Sequence, residues 1–306
     1  MRTEGTQLSV PSKTWNFNLI RTFIFTLLLF SIPVQAQPDS LWARDLGGTY
    51  VYSFIQTHDG GYAMGGYIEE NPENRHDFHI IKTDSIGEIQ WRGTYGGEWR
   101  DVCLSILQAR NGTYLLSGRT RLGGYIVQFD SVGEMTWDRY LSNEDGVNIL
   151  YSSTLAEDDG FIVCGYGASE LPWQGVLIKM SDDGDEIWRQ YYGGEGSDDG
   201  MSVVNTSDGG YILVGQTTSI GAGSFDMWAV KVDSEGELEW ERAYGTELTE
   251  YCFGAVQTDD GGYAIAGSIE WAGLHNEDAL LVRIDSEGKC LLFTDIQNYF
   301  ENINLQ

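Results

Sequence analysis

The chain has 306 residues, with 18 Lys and Arg against 46 Asp and Glu and a formal net charge of −28. A field of that sign repels phosphate backbones and anionic membrane surfaces, which excludes nucleic acid as a partner. The length suits one large all-β domain or two smaller ones.

In chain order, residues 19–34 form an apolar run with Arg21 as its only charge, preceded by Arg2 and Lys13 and followed by Val34-Gln35-Ala36. A basic start, an apolar stretch and small residues at a cleavage position are the layout of a secretory signal peptide. Residues 1–36 are therefore expected to be removed. The remaining domain, 37–306, is expected to be secreted, to the extracellular space, the cell surface or the periplasm. The apolar core, 23–30 broken only by Thr26, is shorter than the roughly 20 residues a spanning helix needs, so no stable membrane insertion is expected after cleavage.

Beyond residue 40 one unit repeats. Trp42, Trp91, Trp137, Trp188 and Trp240 recur at intervals of 49, 46, 51 and 52 residues. An aromatic is followed four residues later by glycine in five copies: Tyr62/Gly66, Tyr114/Gly118, Phe161/Gly165, Tyr211/Gly215 and Tyr263/Gly267. Gly87, Gly133, Gly184, Gly236 and Gly288 each lie three residues after Asp or Ser. Tryptophan follows four residues beyond that glycine in four copies, and Leu292 takes its place in the fifth.

Each unit reads as four short strands. In the fourth copy these are strand A at 201–206, B at 211–216, C at 227–232 and D at 239–244. Strand A is expected at 51–57 in the first copy. Asp-Gly and Asn-Gly turns such as Ser207-Asp208-Gly209-Gly210 close the A–B hairpin, because loop residues at positive φ favour glycine. An Asp-Ser-x-Gly turn closes C–D, its Asp accepting backbone hydrogen bonds. Strands B and C carry apolar residues on both faces, as in Ile212-Leu213-Val214, where a sheet with one wet face would alternate. Sheets covered on both sides by neighbouring sheets explain this, and repeats near 50 residues with four strands fit propeller blades. The expectation is an all-β propeller of about five four-stranded antiparallel blades, with the tryptophans as wedges between them. Residues 41–46 look like a strand D without its own A, B and C, which closes the ring beside the last blade; the alternative is an open or incomplete ring from a longer array.

The segments from Trp188 to Gly194, Thr206 to Gly215 and Asp226 to Trp240 resemble the secreted bacterial β-propeller-repeat proteins, whose units read W-x-x-x-Y-G-G, T-x-D-G-G-Y-x-x-x-G and D-x-x-x-x-K-x-D-x-x-G-x-x-x-W. The resemblance covers essentially the whole chain after residue 36. It implies an extracellular or cell-surface propeller and says little about activity, since fold does not fix function. The turn-to-tryptophan segment from Val232 to Trp240 is also similar to the tryptophan-docking motif of quinoprotein dehydrogenase propellers, a likeness of architecture only.

Candidate chemistry divides into what repeats and what does not. Asp77/Lys82, Asp226/Lys231 and Asp278/Arg283 recur at one spacing, which points to loop capping or pairing across a blade rather than catalysis. Among the non-repeating residues, Trp173 and Trp271 lie in B–C loops and Trp99 in a D–A connection, all emerging on one face. Together Trp99, Trp173 and Trp271 are candidates for an aromatic platform that stacks on sugars or anchors a peptide. On the same face His76 and Asp77, with His275 and Asp278, are candidates for a divalent cation site. His76 and His79, three apart on a strand, point to opposite faces. No catalytic centre and no cofactor motif is recognisable, and a divalent cation is the one bound group the acidity would attract. Cys103, Cys164 and Cys252 sit in apolar strands and read as buried free thiols. The functional expectation is a non-enzymatic binding or structural module for an extracellular glycan, peptide or protein. The alternative is an extracellular glycan-active hydrolase or lyase with carboxylates near the central axis.

Overall fold

The computed structural model describes residues 45–71, 75–96, 100–142, 146–167, 172–270 and 277–295. The apolar segment 19–34 and Trp42 lie outside them. The described chain is all β, arranged as five four-stranded antiparallel sheets whose strands pair in sequence order. The first blade is β1 (Thr49–Gln56), β2 (Tyr62–Asn71), β3 (Arg75–Thr83) and β4 (Ile89–Tyr95). The second is β5 (Val102–Gln108), β6 (Tyr114–Thr120), β7 (Gly123–Phe129) and β8 (Met135–Ser142). The third is β9 (Ile149–Leu155), β10 (Phe161–Gly167), β11 (Gln174–Met180) and β12 (Glu186–Tyr192). The fourth is β13 (Asp198–Asn205), β14 (Tyr211–Thr217), β15 (Asp226–Val232) and β16 (Leu238–Tyr244), and the fifth is β17 (Thr249–Gln257), β18 (Tyr263–Glu270), β19 (Glu277–Ile284) and β20 (Cys290–Asp295). Five successive up-and-down sheets are the expected propeller blades. Of residues 41–46, expected as a closing strand D, Asp45 and Leu46 lie outside any strand, and 41–44 lie outside the described residues.

The turns follow the chemistry of their residues. Gly60, Gly112, Gly209 and Gly261 have φ of +80°, +90°, +87° and +83°, and in the third copy Asp159 takes that place at +69°. In the Asp-Ser-x-Gly turn, Asp233 Oδ1 accepts the N–H groups of Glu235 and Glu237, both at 2.9 Å, while Gly236 turns the chain at +81°. The second glycine of the Asp-Gly-Gly turn answers a different need. A Cβ on Gly210 would lie 2.2 Å from the Val232 carbonyl and 2.7 Å from Lys231 Nζ. Lys231, almost fully buried, pairs there with Asp208 at 3.0 Å and Glu239 at 3.0 Å. Lys82 does the same with Asp59 at 2.8 Å in the first blade. The recurring Asp of strand C does not pair with that lysine. Asp226 Oδ2 instead accepts the N–H groups of Ala222 and Gly223 at 3.0 and 3.1 Å, capping the B–C loop.

Four apolar cores hold the blades, each spanning two consecutive sheets. Phe78 and Ile80 meet Tyr114, Leu116 and Val127. Leu115 and Ile126 meet Leu150, Val163 and Val176. Ile162 and Leu177 meet Leu213, Trp228 and Val230. Ile212 and Val214 meet Cys252, Ile265 and Val282. Cys103, Cys164 and Cys252 are buried free thiols, as expected, and burial pushes the Cys252 thiol up to about 12.

Candidate functional site

The site begins with a defect in strand A. In all five blades the pairing of A with B slips by one residue, leaving Tyr52, Leu104, Tyr151, Met201 and Phe253 as the unpaired residue of a β-bulge. A bulge bends the strand and re-aims a side chain. It also explains the aromatic-x-x-x-Gly anchor. The glycine opposite each bulge, Gly66, Gly118, Gly165, Gly215 or Gly267, faces a carbonyl that a Cβ would meet at 1.7–2.0 Å. No other residue fits so close an approach. Because the A strands β1, β5, β9, β13 and β17 contact one another from blade to blade, they are the innermost strands.

Three of the bulged residues, Tyr52, Leu104 and Tyr151, converge on one cleft of about 320 Å³. Val102 and Ile149 supply apolar wall, and Tyr67, His76, Arg100 and Arg119 complete the lining. On the first blade Tyr50, Tyr67 and His76 form a stack, with ring centroids 4.7 and 4.1 Å apart and planes within 12° and 14°. Tyr52 leans on the same Tyr67 ring at 5.9 Å. Tyr50 is 53% and Tyr52 42% exposed, so their faces are open to solvent. Burial of Tyr67 raises its phenol pKa above the usual value. On the third blade Tyr151, Tyr166 and Trp173 form a second set, with centroids 6.0 and 5.2 Å apart. Burial likewise raises the Tyr151 phenol.

The backbone fixes the loops around these rings. The Asp101 N–H donates to the His76 carbonyl at 2.6 Å, which sets Arg100 beside the first stack. The equivalent bond, Asp198 N–H to the Trp173 carbonyl at 2.9 Å, anchors the second. Asp199 occupies on β13 the place that Val102 and Ile149 hold on β5 and β9. Burial raises its carboxyl pKa, one oxygen accepts from Gln216 Nε2 at 3.0 Å, and the other is buried without a partner.

The expected platform of Trp99, Trp173 and Trp271 is only partly placed. Trp173, 40% exposed, joins the second aromatic set by leaning on Tyr166 of its own blade, while Trp99 and Trp271 lie outside the described residues. For the cation site, His76 stacks on Tyr67 with Nε2 3.4 Å from Glu69 Oε1, and Asp77, its neighbour on β3, faces the opposite side. Asp278 sits on β19, and His275 lies outside the described residues. No group of three metal-ligating side chains occurs among the described residues. His79, opposite in facing to His76, is buried against Thr94 Oγ1 at 2.9 Å, and burial lowers its pKa to about 4, so it is neutral at pH 7. Tyr52 and Tyr151 were missed because the bulge shifts the alternation of strand A by one residue, which no periodicity in the sequence displays.

No family model matches the chain, and no curated protein matches it in sequence. Among solved structures it is similar to a eukaryotic initiation factor, at 8% identity and a TM-score of 0.46 over 81% of this chain. The chain spans about half, 55%, of that structure's length. It is also similar to an endo-arabinase from Bacteroides thetaiotaomicron, at 10% identity and a TM-score of 0.45, covering 62% of this chain and 78% of that one. Against Sqt1 from Chaetomium thermophilum the identity is 9% and the TM-score 0.45, covering 82% and 73%. Likeness at this level reaches neither activity nor ligand.

Proposed function

We propose that the protein is a secreted, non-enzymatic glycan-binding propeller whose ligand enters the cleft between the innermost strands of blades one to three. One observation carries this reading: two aromatic sets, Tyr50/Tyr67/His76 and Tyr151/Tyr166/Trp173, meet at a single cleft that Tyr67 and His76 line from one side and Tyr151 from the other, with the exposed ring of Tyr52 beside them. An exposed phenol ring offers a flat apolar face to the C–H side of a sugar and a hydroxyl to its rim. The cleft falls at the lower end of the roughly 300–1,000 Å³ typical of ligand pockets, room for a few sugar rings at most. A peptide would instead need an open main-chain edge or a deeper apolar groove.

A second reading, a glycan-active hydrolase, rests on Asp199. A buried carboxyl with a raised pKa and one unpartnered oxygen is suited to proton donation.

One experiment decides between them. The purified protein is applied to an oligosaccharide array, and bound sugars are assayed for release of reducing ends. Retention without release, weakened at least tenfold in Tyr52→Ala and Tyr151→Ala, supports the binding module. Release abolished in Asp199→Asn replaces it with the hydrolase. No retained glycan overturns both.

A further inference from the structure

The chain carries 46 acids against 18 Lys and Arg, yet among the described residues none of the nine lining the cleft is Asp or Glu, while Arg100 and Arg119 are among them, with His76, whose Nε2 lies 3.4 Å from Glu69. From these we infer that the cleft selects a carboxylate-bearing sugar, a uronate, over its neutral counterpart. The inference rests on the glycan reading and names its substrate class.

Arg100 stands on the first blade's side of the cleft, held by the Asp101–His76 backbone bond, its charge opposing the rise that burial gives the Tyr67 phenol. Arg119 stands on the other side, at the end of β6, where its charge acts on both Tyr151 and Tyr166. Arg119 is exposed, and among the described residues no carboxylate lies within ion-pair distance of it. The basic side chains of the repeat frame, Lys82, Lys179, Lys231 and Arg283, each pair with an Asp of a turn. A guanidinium presents a planar fork that matches a carboxylate in bidentate fashion, and an aromatic beside it holds the sugar ring. The protein's overall field works against anions at long range, with a screening length of about 8 Å at physiological salt. Retention of an anion must therefore come from these local donors, which makes it a property of the site and not of the surface.

The test compares three probes: a galacturonic acid hexamer, its fully methyl-esterified form and a galactose hexamer carrying sulfate esters, measured by calorimetry with wild type and Arg119→Gln. The acid is expected to bind at least tenfold tighter than the ester. Arg119→Gln is expected to lose about tenfold for the acid and markedly less for the ester. Because Arg119 is exposed, this variant keeps the fold, which its unchanged unfolding midpoint confirms. Equal binding of acid and ester, or an Arg119→Gln protein that binds the acid as wild type does, overturns the inference and leaves glycan binding standing. Tighter binding of the sulfated probe overturns the carboxylate assignment. Binding of none of the three, together with an empty array, removes the glycan reading itself.

Discussion

The seams between consecutive blades and the two outer faces of the array are made of different residues, although the same repeat writes both. At each seam a strand-D tryptophan rests on the turn glycine of the next blade. A Cβ on Gly133, Gly184, Gly236 or Gly288 would lie 2.7–3.0 Å from the ring of Trp91, Trp137, Trp188 or Trp240. Three of the indole N–H groups donate to that turn's carbonyls, at 3.2 Å to Ser131, 3.0 Å to Asp182 and 3.1 Å to Ser286, while Trp188 finds no acceptor. Among the described residues the outer faces lack these parts. Leu292 stands where the fifth tryptophan would be, 46% exposed, and on the first blade Phe54 is 42% exposed. Among the described residues, none of the four cores joins the fifth blade to the first. The difference teaches that the recurring residues serve the seam: where no core forms behind them, they are replaced or left open.

The largest expected effect breaks a seam. Trp228 is wholly buried between blades three and four, its Nε1 donating to Glu241 at 2.8 Å and its ring seated where Gly175 leaves no side chain. Trp228→Ala is expected to cost about 3–5 kcal/mol, the range for large aromatic truncation in a core. Phe54→Ala on the outer face is expected to cost no more than about 1 kcal/mol, since much of the side chain is already in water. Urea titration checks both. Equal costs would mean that the outer face of the first blade is as well packed as a seam.

Much of the seam was legible in the sequence, because the same physical task recurs at four seams and leaves the same letters. The tryptophan, the turn glycines and the lysine of strand C announce themselves by register. The cleft was not legible for the opposite reason. Its bulged residues, Tyr52, Leu104, Tyr151, Met201 and Phe253, share a position and no chemistry, and the bulge itself alters the alternation by which strands are read. Strand A of the fourth blade accordingly begins at Asp198 and not at 201, as its apolar run implied. The loop tryptophans drew attention because they broke the repeat, yet the one described, Trp173, contributes through contact with a tyrosine of strand B.

A smaller effect sharpens the comparison through charge. The side chains of Lys82, Lys179 and Lys231 are 3%, 10% and 2% exposed at seams, whereas Arg283 on the fifth blade is 37% exposed. Lys82 bonds Asp59, the Thr83 carbonyl and Gln90 Oε1, so Lys82→Met strips several charged hydrogen bonds at once. The expected cost is about 1–2 kcal/mol at pH 7, held down because Asp59 is half exposed and can be rehydrated. Lys82 holds the Asp59 carboxyl below its usual range. A depressed folded-state value gives stability that is present above the unfolded value of about 3.9 and lost as pH falls through the folded one. The gap between wild type and Lys82→Met should therefore narrow on acidification below about pH 4. Arg283→Met should leave the unfolding midpoint unmoved at any pH. A pH-independent gap for Lys82→Met would mean that packing of its methylenes, and not its charge, stabilises the seam.

The smallest expected effect restores the missing letter. Leu292→Trp places an indole at the one strand-D position from which the repeat omits it. An indole stabilises the four seams because a glycine with positive φ lies beneath it and, at three of them, a turn carbonyl accepts its N–H. With Leu292 nearly half exposed, the added ring would exchange one partly wetted apolar surface for another. The stability change should stay within about 0.5 kcal/mol, as for surface substitutions away from packed features. A gain near 2 kcal/mol, together with a tryptophan emission shifted to the blue, would show that the ring had found a buried seat. The fifth blade would then possess a seam partner after all, and the distinction between interior and outer faces would collapse at that end. An unchanged midpoint with solvent-exposed emission would instead confirm that the tryptophan acts only together with the glycine turn it covers.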